Sequence, residues 1–309
     1  MPHSASVQFN GYLEFSEISK SYGEVSALQK VSGHIPKNNI CGFIGPDGAG
    51  KSTLLSTFVG LNKPDSGEIS YASSDARQPG SIGYMPQQFS MYGDLTVQEN
   101  LLFFADLYKI KGELRQQRFE ELLHFSRLTD FTGRLADNLS GGMRQKLALI
   151  CVLMYAPPLL ILDEPTTGVD PIARSELWDM LHQLQSDGHT ILISTPYMEE
   201  AVQCDQVFFL SHGNILATGS PDELQAGYAY QLYELKCENM MENLSLLQQE
   251  PWIHLVYPKG DRLHLSVAEG KGDEAKVRKN LERQIADKFS LRRIKPGMED
   301  VYAGLEERI

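Results

Sequence analysis

The sequence predicts an α/β fold built on a parallel core sheet, followed by a small α+β module. Three observations carry that prediction. The apolar run NNICGFIG leads straight into glycines and then into the helical string KSTLLSTFVGL. The apolar runs LLILD and TILIST flank the amphipathic ARSELWDMLHQLQSDG, the alternation that places strands side by side in parallel. After Gly219–Gly227 the composition shifts, and short strand patterns separated by two helical ones follow.

The first segment, 11–82, is strand-rich, with YLEFSEISKSY and VSALQKVSGHI ahead of NNICGFIG. From Gln87 to Ala156 the pattern turns helical. ENLLFFADLYKI and RFEELLHFSRL repeat apolar residues at three- and four-residue intervals, and a further helix follows Gly142. After LLILD, the amphipathic helix and TILIST comes QVFFLS, which enters a hairpin at His212-Gly213-Asn214. The last part reads YQLYELKCE strand, ENLSLLQQ helix, WIHLVYP and RLHLSV strands, DEAKVRKNLERQIADK helix and FSLRRI strand. That βαββαβ order predicts a ferredoxin-like module. The boundaries are set at 1–225 and 226–309.

Composition excludes some classes of function. A 309-residue chain with 42% hydrophobic and 22% charged residues is ordinary for a globular protein. A net charge of -12 argues against broad nucleic-acid binding, which needs concentrated Lys and Arg. Cys41, Cys151, Cys204 and Cys237 lie far apart without metal-site spacing and read as reduced thiols. The start, MPHSASVQFNGYLEF, lacks the basic and apolar regions of a signal peptide. Pro157 and Pro158 interrupt the longest apolar run, so no segment is expected to cross a bilayer. His254 and His264 fall in alternating strands, where surface or half-buried positions explain them better than metal ligation does.

Gly45-Pro46-Asp47-Gly48-Ala49-Gly50-Lys51-Ser52-Thr53 fits G-x-x-x-x-G-K-[ST] in full, with a strand before it and a helix after. Its glycines turn backbone amides toward phosphates, Lys51 supplies a point charge, and Ser52 can ligate Mg²⁺. The strand LLILD delivers Asp163 and Glu164 at its end: Asp163 suits Mg²⁺, and Glu164 suits a general base for the attacking water. Leu139-Ser140-Gly141-Gly142-Met143-Arg144-Gln145 opens a second helix with exposed amides, a second anion site. One nucleotide does not need two phosphate cradles, so the chain owns one half of each of two shared sites.

These strings, with YMPQQ and the Gly168-Val169-Asp170 loop, stand in the order seen in one family. Over roughly residues 10–220 the chain resembles the ATP-binding subunit of ATP-binding cassette (ABC) transporters, and LSGGMRQ is diagnostic of that superfamily. The ending from Pro296 to Tyr302 is similar to the close of ATPase subunits of drug-export and other ABC-2-type systems. The resemblance implies a P-loop NTPase with a mixed core sheet, an antiparallel β subdomain and a helical subdomain at about 88–156. It further implies that Ser140, Gly141 and Gly142 meet the γ-phosphate of ATP held by an opposing cassette. Gln87 would touch Mg²⁺ and face a membrane partner, Asp170 would lie in the loop between the two sites, and Tyr22 would stack on adenine. A lone Tyr is otherwise a core or surface residue. The implied partners are a second cassette, identical or not, and transmembrane permease subunits. The implied location is the cytoplasmic face of the cell membrane.

One position departs from the family. Where it places a His after TILIST, this chain has Pro196, which offers no side-chain donor and no N–H. His189 precedes the same strand, about 20 Å away at roughly 3.3 Å per residue, and is no substitute. Proline also simply suits a helix start there. The expected function is an ATPase energising export, with Pro196 expected to slow it. The alternatives are a soluble ABC ATPase acting on ribosomes or DNA, and a hydrolysis-impaired regulatory cassette. The lack of room for a coiled-coil insertion and the presence of a single cassette weigh against the soluble one.

Overall fold

The computed structural model describes residues 11–72, 80–88, 91–268, 273–286 and 288–307, and the signal-peptide reading of the first ten residues lies outside them. The chain divides into two units between Thr218 and Gly219.

The first unit opens with two long strands, β1 (Gly11–Tyr22) and β2 (Val25–Pro36), which pair antiparallel. Next come β3 (Ile40–Ile44), α1 (Lys51–Val59) and β4 (Ser66–Tyr71); β4 returns to β1, completing a three-stranded sheet in the order β2-β1-β4. The remaining strands are β5 (Ile82–Met85), β6 (Leu159–Asp163), β7 (Thr190–Thr195), β8 (Gln206–Ser211) and β9 (Asn214–Gly219). They join β3 in a six-stranded sheet of order β5-β6-β7-β3-β8-β9, parallel from β5 to β8. β3, β6 and β7 are buried along their whole lengths, which is why they read as unbroken apolar runs and not as alternating ones. β5 escaped the sequence reading because four residues containing a glycine make no visible pattern.

An aromatic cluster locks the antiparallel sheet onto the parallel one. Phe43 of β3 stacks on Phe208 of β8 at 4.8 Å, and Phe15 of β1 meets Phe208 at 6.0 Å and Phe58 of α1 at 5.0 Å. The helical part holds α2 (Val97–Leu107), α3 (Gly112–Ser126) and α4 (Gly141–Leu153). It begins with a capping box, in which Thr96 and Glu99 satisfy each other's amides. α5 (Pro171–Ser186) then crosses between β6 and β7.

The second unit contains α6 (Pro221–Ala226), β10 (Tyr230–Cys237), α7 (Met240–Leu247), β11 (Ile253–Lys259), β12 (Arg262–Ala268), α8 (Glu274–Gln284), β13 (Phe289–Ile294) and α9 (Met298–Glu306). Its sheet runs β11-β12-β10-β13 with every pairing antiparallel, the arrangement expected of βαββαβ. The break falls ahead of the boundary set at 225 because α6 packs on α9 and so goes with this unit. His264 is buried, not at the surface or half-buried as expected of its strand: its Nδ1 lies 2.6 Å from Asp300 Oδ1 of α9, and Tyr257 donates to the same oxygen. His254 is half-buried and stacks on Tyr230 at 3.9 Å. All four cysteines are free.

Candidate nucleotide site

Strand order assembles the site. β7 lies between β3 and β6, so the carboxyl ends of all three strands open onto one edge. In register, Ile44 faces Thr195 and Asp163 faces Ser194. The amide of Gly45 then donates to Thr195 O (3.3 Å) and that of Glu164 to Ser194 O (3.2 Å). Phosphate loop and acidic strand end are thereby fixed to the same neighbour.

The loop itself ends at Gly50, whose φ of 102° is open to few side chains, and a Cβ there would stand 2.4 Å from Ala27 O. No side chain caps α1, so its first-turn amides are left for an anion. Lys51 is buried and folds back over the loop, donating to Gly45 O (2.8 Å) and Pro46 O (3.0 Å). Its ammonium also lies 3.2 Å from Glu164 Oε1.

Two carboxylates share this end. Asp163 Oδ1 accepts from Ser52 (3.0 Å) and from Ser194 (2.5 Å). Burial pushes its carboxyl above the usual range, and the hydrogen bonds from Ser194 and Ser52 offset only part of that. Glu164 adopts a left-handed φ of 50°, a costly choice for a residue with a side chain. Its amide donates to Ser194 Oγ (2.9 Å), which holds it there. The Glu164 carboxylate is aimed by Gln87 Nε2 (3.0 Å) and Thr167 Oγ1 (3.2 Å), both on Oε2. Ser52 and Asp163 together offer hard oxygen donors suited to Mg²⁺, with Gln87 beside them. Among the described residues no cluster of three His, Cys, Asp or Glu gathers, so a cation here would need oxygens from a ligand as well.

These groups border a cleft of about 690 Å³ whose lining includes Asp47, Gly48, Gly50, Lys51, Ser52, Thr53, Gln87 and Glu164. Val25, Ser26, Ala27 and Gln29 of β2, and His212 of the β8–β9 turn, complete it. None of these five was expected at the site from the sequence, where His212 was read only as part of a hairpin; nor were Ser194 and Thr167. A polar residue ending an apolar strand beside another strand's acid could have pointed to Ser194. Nothing local could have pointed to the rest. Tyr22 is 48% exposed and does not line the cleft, but it is the cross-strand partner of Val25, which does.

The signature residues lie elsewhere. Ser140 caps α4 by accepting from the Met143 amide (3.3 Å), and none of Ser140, Gly141 and Gly142 lines the cleft. Gly142 is buried where a Cβ would come within 2.4 Å of the Ala173 methyl, so α4 and α5 touch through it. Asp170 caps α5, its Oδ1 accepting from Ile172 (3.1 Å) and Ala173 (3.0 Å). Lys146 of α4 and Arg127 both pair with Glu176 of α5, and the hydrogen bond from Lys146 leads in lowering the Glu176 carboxyl. The chain therefore gathers Lys51, Ser52, Gln87, Asp163 and Glu164 in one place and Ser140, Gly141, Gly142 and Asp170 in another.

Pro196 separates β7 from a short 3₁₀ helix, Met198–Gln203. The Tyr197 amide beyond it donates to Thr195 Oγ1 (3.1 Å), and the Arg174 guanidinium covers the Tyr197 ring at 4.1 Å. His189 sits at the opposite end of β7, its Nδ1 2.8 Å from Pro157 O.

Known proteins resemble the chain in sequence and in fold. The family model described as ABC transporter matches residues 28–167. The probable multidrug ABC transporter ATP-binding protein YbhF of Escherichia coli (strain K12) is 50% identical over 190 residues, 60% of this chain; the match covers only 33% of that relative's length. The Nod factor export ATP-binding protein I of Rhizobium sp. (strain N33) is 34% identical over 307 residues, covering 96% of this chain and 97% of its own. Among solved structures, cbiO1 of Clostridium perfringens, part of the ABC transporter complex cbiONQ, superposes with a TM-score of 0.64 at 28% identity, over 71% of this chain and 92% of that one. The ATP-binding cassette MJ0796, dimeric and bound to ADP and Pi, gives a TM-score of 0.60 at 28% identity, over 67% of this chain and 98% of that one.

Proposed function

The chain belongs to the ABC transporter family, and we propose that it binds and hydrolyses ATP to energise export through separate membrane subunits. One observation carries this reading: Lys51, Ser52, Gln87 and Glu164 line one cleft, with Asp163 hydrogen-bonded to Ser52, while the signature residues stand outside it. The names of the relatives, a multidrug protein and a Nod factor exporter, favour export.

The amides from Gly48 to Thr53 would bind the phosphates, with Lys51 turning from its loop carbonyls to the outer ones. Ser52 and Asp163 would hold Mg²⁺, whose charge would offset that of the phosphates. Glu164, its carboxylate aimed by Gln87 and Thr167, would take the proton of the attacking water. Positioning and electrostatics would supply most of the rate. Ser140, Gly141 and Gly142 would complete the equivalent cleft of a second cassette, so the working unit is a head-to-tail pair, as MJ0796 is dimeric. Such a pair would sit on the inner face of the membrane against permease subunits reached through the segment after Gln87. Among the described residues no helix is long and apolar enough to cross a membrane.

Steady-state ATPase assays of the purified chain test this. Glu164→Gln should lower turnover at least about a hundredfold while leaving ATP binding intact. An unchanged rate would remove the assignment. Pro196 leaves no side-chain donor at the end of β7, so turnover should be slow, and Pro196→His should speed single-turnover hydrolysis. No gain would remove that part alone.

A further inference from the structure

The turn that carries Glu164 is pinned at both ends to the same stretch of chain. At its start, the Glu164 amide donates to Ser194 Oγ (2.9 Å) and Ser194 O (3.2 Å), in β7. At its far end, the buried Thr166 hydroxyl donates to Glu200 Oε2 (3.0 Å), in the 3₁₀ helix that follows β7. Between these anchors the Thr167 amide donates to Glu164 O (3.2 Å), and Thr167 Oγ1 donates to the Glu164 carboxylate (3.2 Å). The residue that aims Glu164 is therefore the neighbour in sequence of the one that Glu200 holds.

Glu200 is more than a buried hydroxyl requires. It is 3% exposed, and among the described residues its Oε1 has no hydrogen-bond donor. Its charge is met instead by Arg174 of α5, whose Nε stands 3.7 Å from Oε1 and whose guanidinium also covers the Tyr197 ring. A neutral acceptor would satisfy Thr166 without the cost of desolvating a charge. A carboxylate gives the hydroxyl a bond roughly twice as strong, which suits a tether. The turn needs one, because a left-handed backbone at a residue with a side chain persists only where its surroundings hold it.

We propose that Glu200 is a positioning residue for Glu164: by holding Thr166 it fixes the turn over 164–167, and with it the aim of the carboxylate that takes the proton from water. The assignment rests on the ATP-hydrolysis reading above and extends it to a residue outside the phosphate-loop, strand-end and signature motifs. A displacement of about 1 Å at such a group costs about a hundredfold in rate.

The test is steady-state ATPase kinetics of the full chain well below its Tm, with ATP affinity measured on the same samples. Thr166→Val removes the donor with little change of shape, and Glu200→Met removes the acceptor. Each should lower kcat by about ten- to a hundredfold while the Kd for ATP stays within about twofold, since the phosphate loop is untouched. The double variant should be no slower than the slower single one, because both break the same tether. Thr166→Ser keeps the hydroxyl and should stay within about threefold of the unaltered chain. A lowered Tm with unchanged kcat, losses that multiply in the double variant, or Thr166→Ser as slow as Thr166→Val would each overturn the assignment. If Glu200→Met does not fold, the contrast between Thr166→Val and Thr166→Ser decides alone. An unaltered chain that does not hydrolyse ATP, or a Glu164→Gln variant that hydrolyses it as fast, would instead remove the hydrolysis reading, and this assignment with it.

Discussion

The two units bury their carboxylates in opposite ways. In the first, burial holds Asp163 and Glu200 above the usual carboxylate range, and their hydrogen bonds offset only part of the cost. For Glu200, Thr166 donates at 3.0 Å while Oε1 lacks any hydrogen-bond donor. In the second, burial would also raise Asp300, but His264, Tyr257 and the Gly297 amide donate to it and carry it below that range. The difference is between a carboxylate beside the candidate site, Asp163, and one that ties strand to helix, Asp300. Asp163 shares Ser52 with the cleft lining and accepts from two hydroxyls, Ser52 and Ser194, whereas Asp300 accepts from His264, Tyr257 and the Gly297 amide.

Breaking Asp300 should have the largest effect. Asp300→Ala leaves the buried His264 and the half-buried Tyr257 without this acceptor and should destabilise the second unit by about 3–5 kcal/mol. Scanning calorimetry should show its transition moving down while the first unit's stays in place; a shift shared by both would erase the contrast. Acid comes next. The lowered Asp300 contributes stability that is complete above about pH 4, the unfolded value, and is lost as pH falls through its folded value. Asp163 and Glu200 are raised, so they hold protons in the folded state above about pH 4 and stabilise the first unit as pH drops toward that value. The two transitions should therefore diverge between neutral pH and about pH 4 and below, and parallel curves would contradict the comparison. The smallest effect belongs to Asp163→Asn. It keeps an acceptor for Ser52 and Ser194 but drops the buried charge, and should raise Tm by about 2–4 °C while ATPase activity is lost. A lower Tm would mean that the charge itself is stabilising.

Much of this was legible along the chain. The phosphate loop, LLILD and LSGGMRQ are local, because each needs a strand or helix beside it and its own glycines or acids. The βαββαβ order was legible for the same reason, since alternation and turn residues are short-range signals. What stayed hidden depends on residues far apart in sequence. Gln29 and His212 are 183 positions apart and meet only because β2 and the β8–β9 turn both reach the phosphate loop. Ser194 serves Asp163 because β7 lies next to β6, an adjacency that strand patterns do not specify. His264 looked like an ordinary alternating strand residue until α9 brought Asp300 onto it.

By itself, then, the sequence determined the elements, the family they resemble and the chemistry of each motif, because these follow from periodicity and from the backbone freedom that glycines allow. Only the tertiary structure decided which motifs share a cleft. The order β6-β7-β3 joins Lys51 to Asp163 and Glu164, and packing of α4 on α5 through Gly142 holds the signature outside it. The physical reason is that neighbours in a parallel sheet are chosen by how buried faces pack, and chain order does not record that choice.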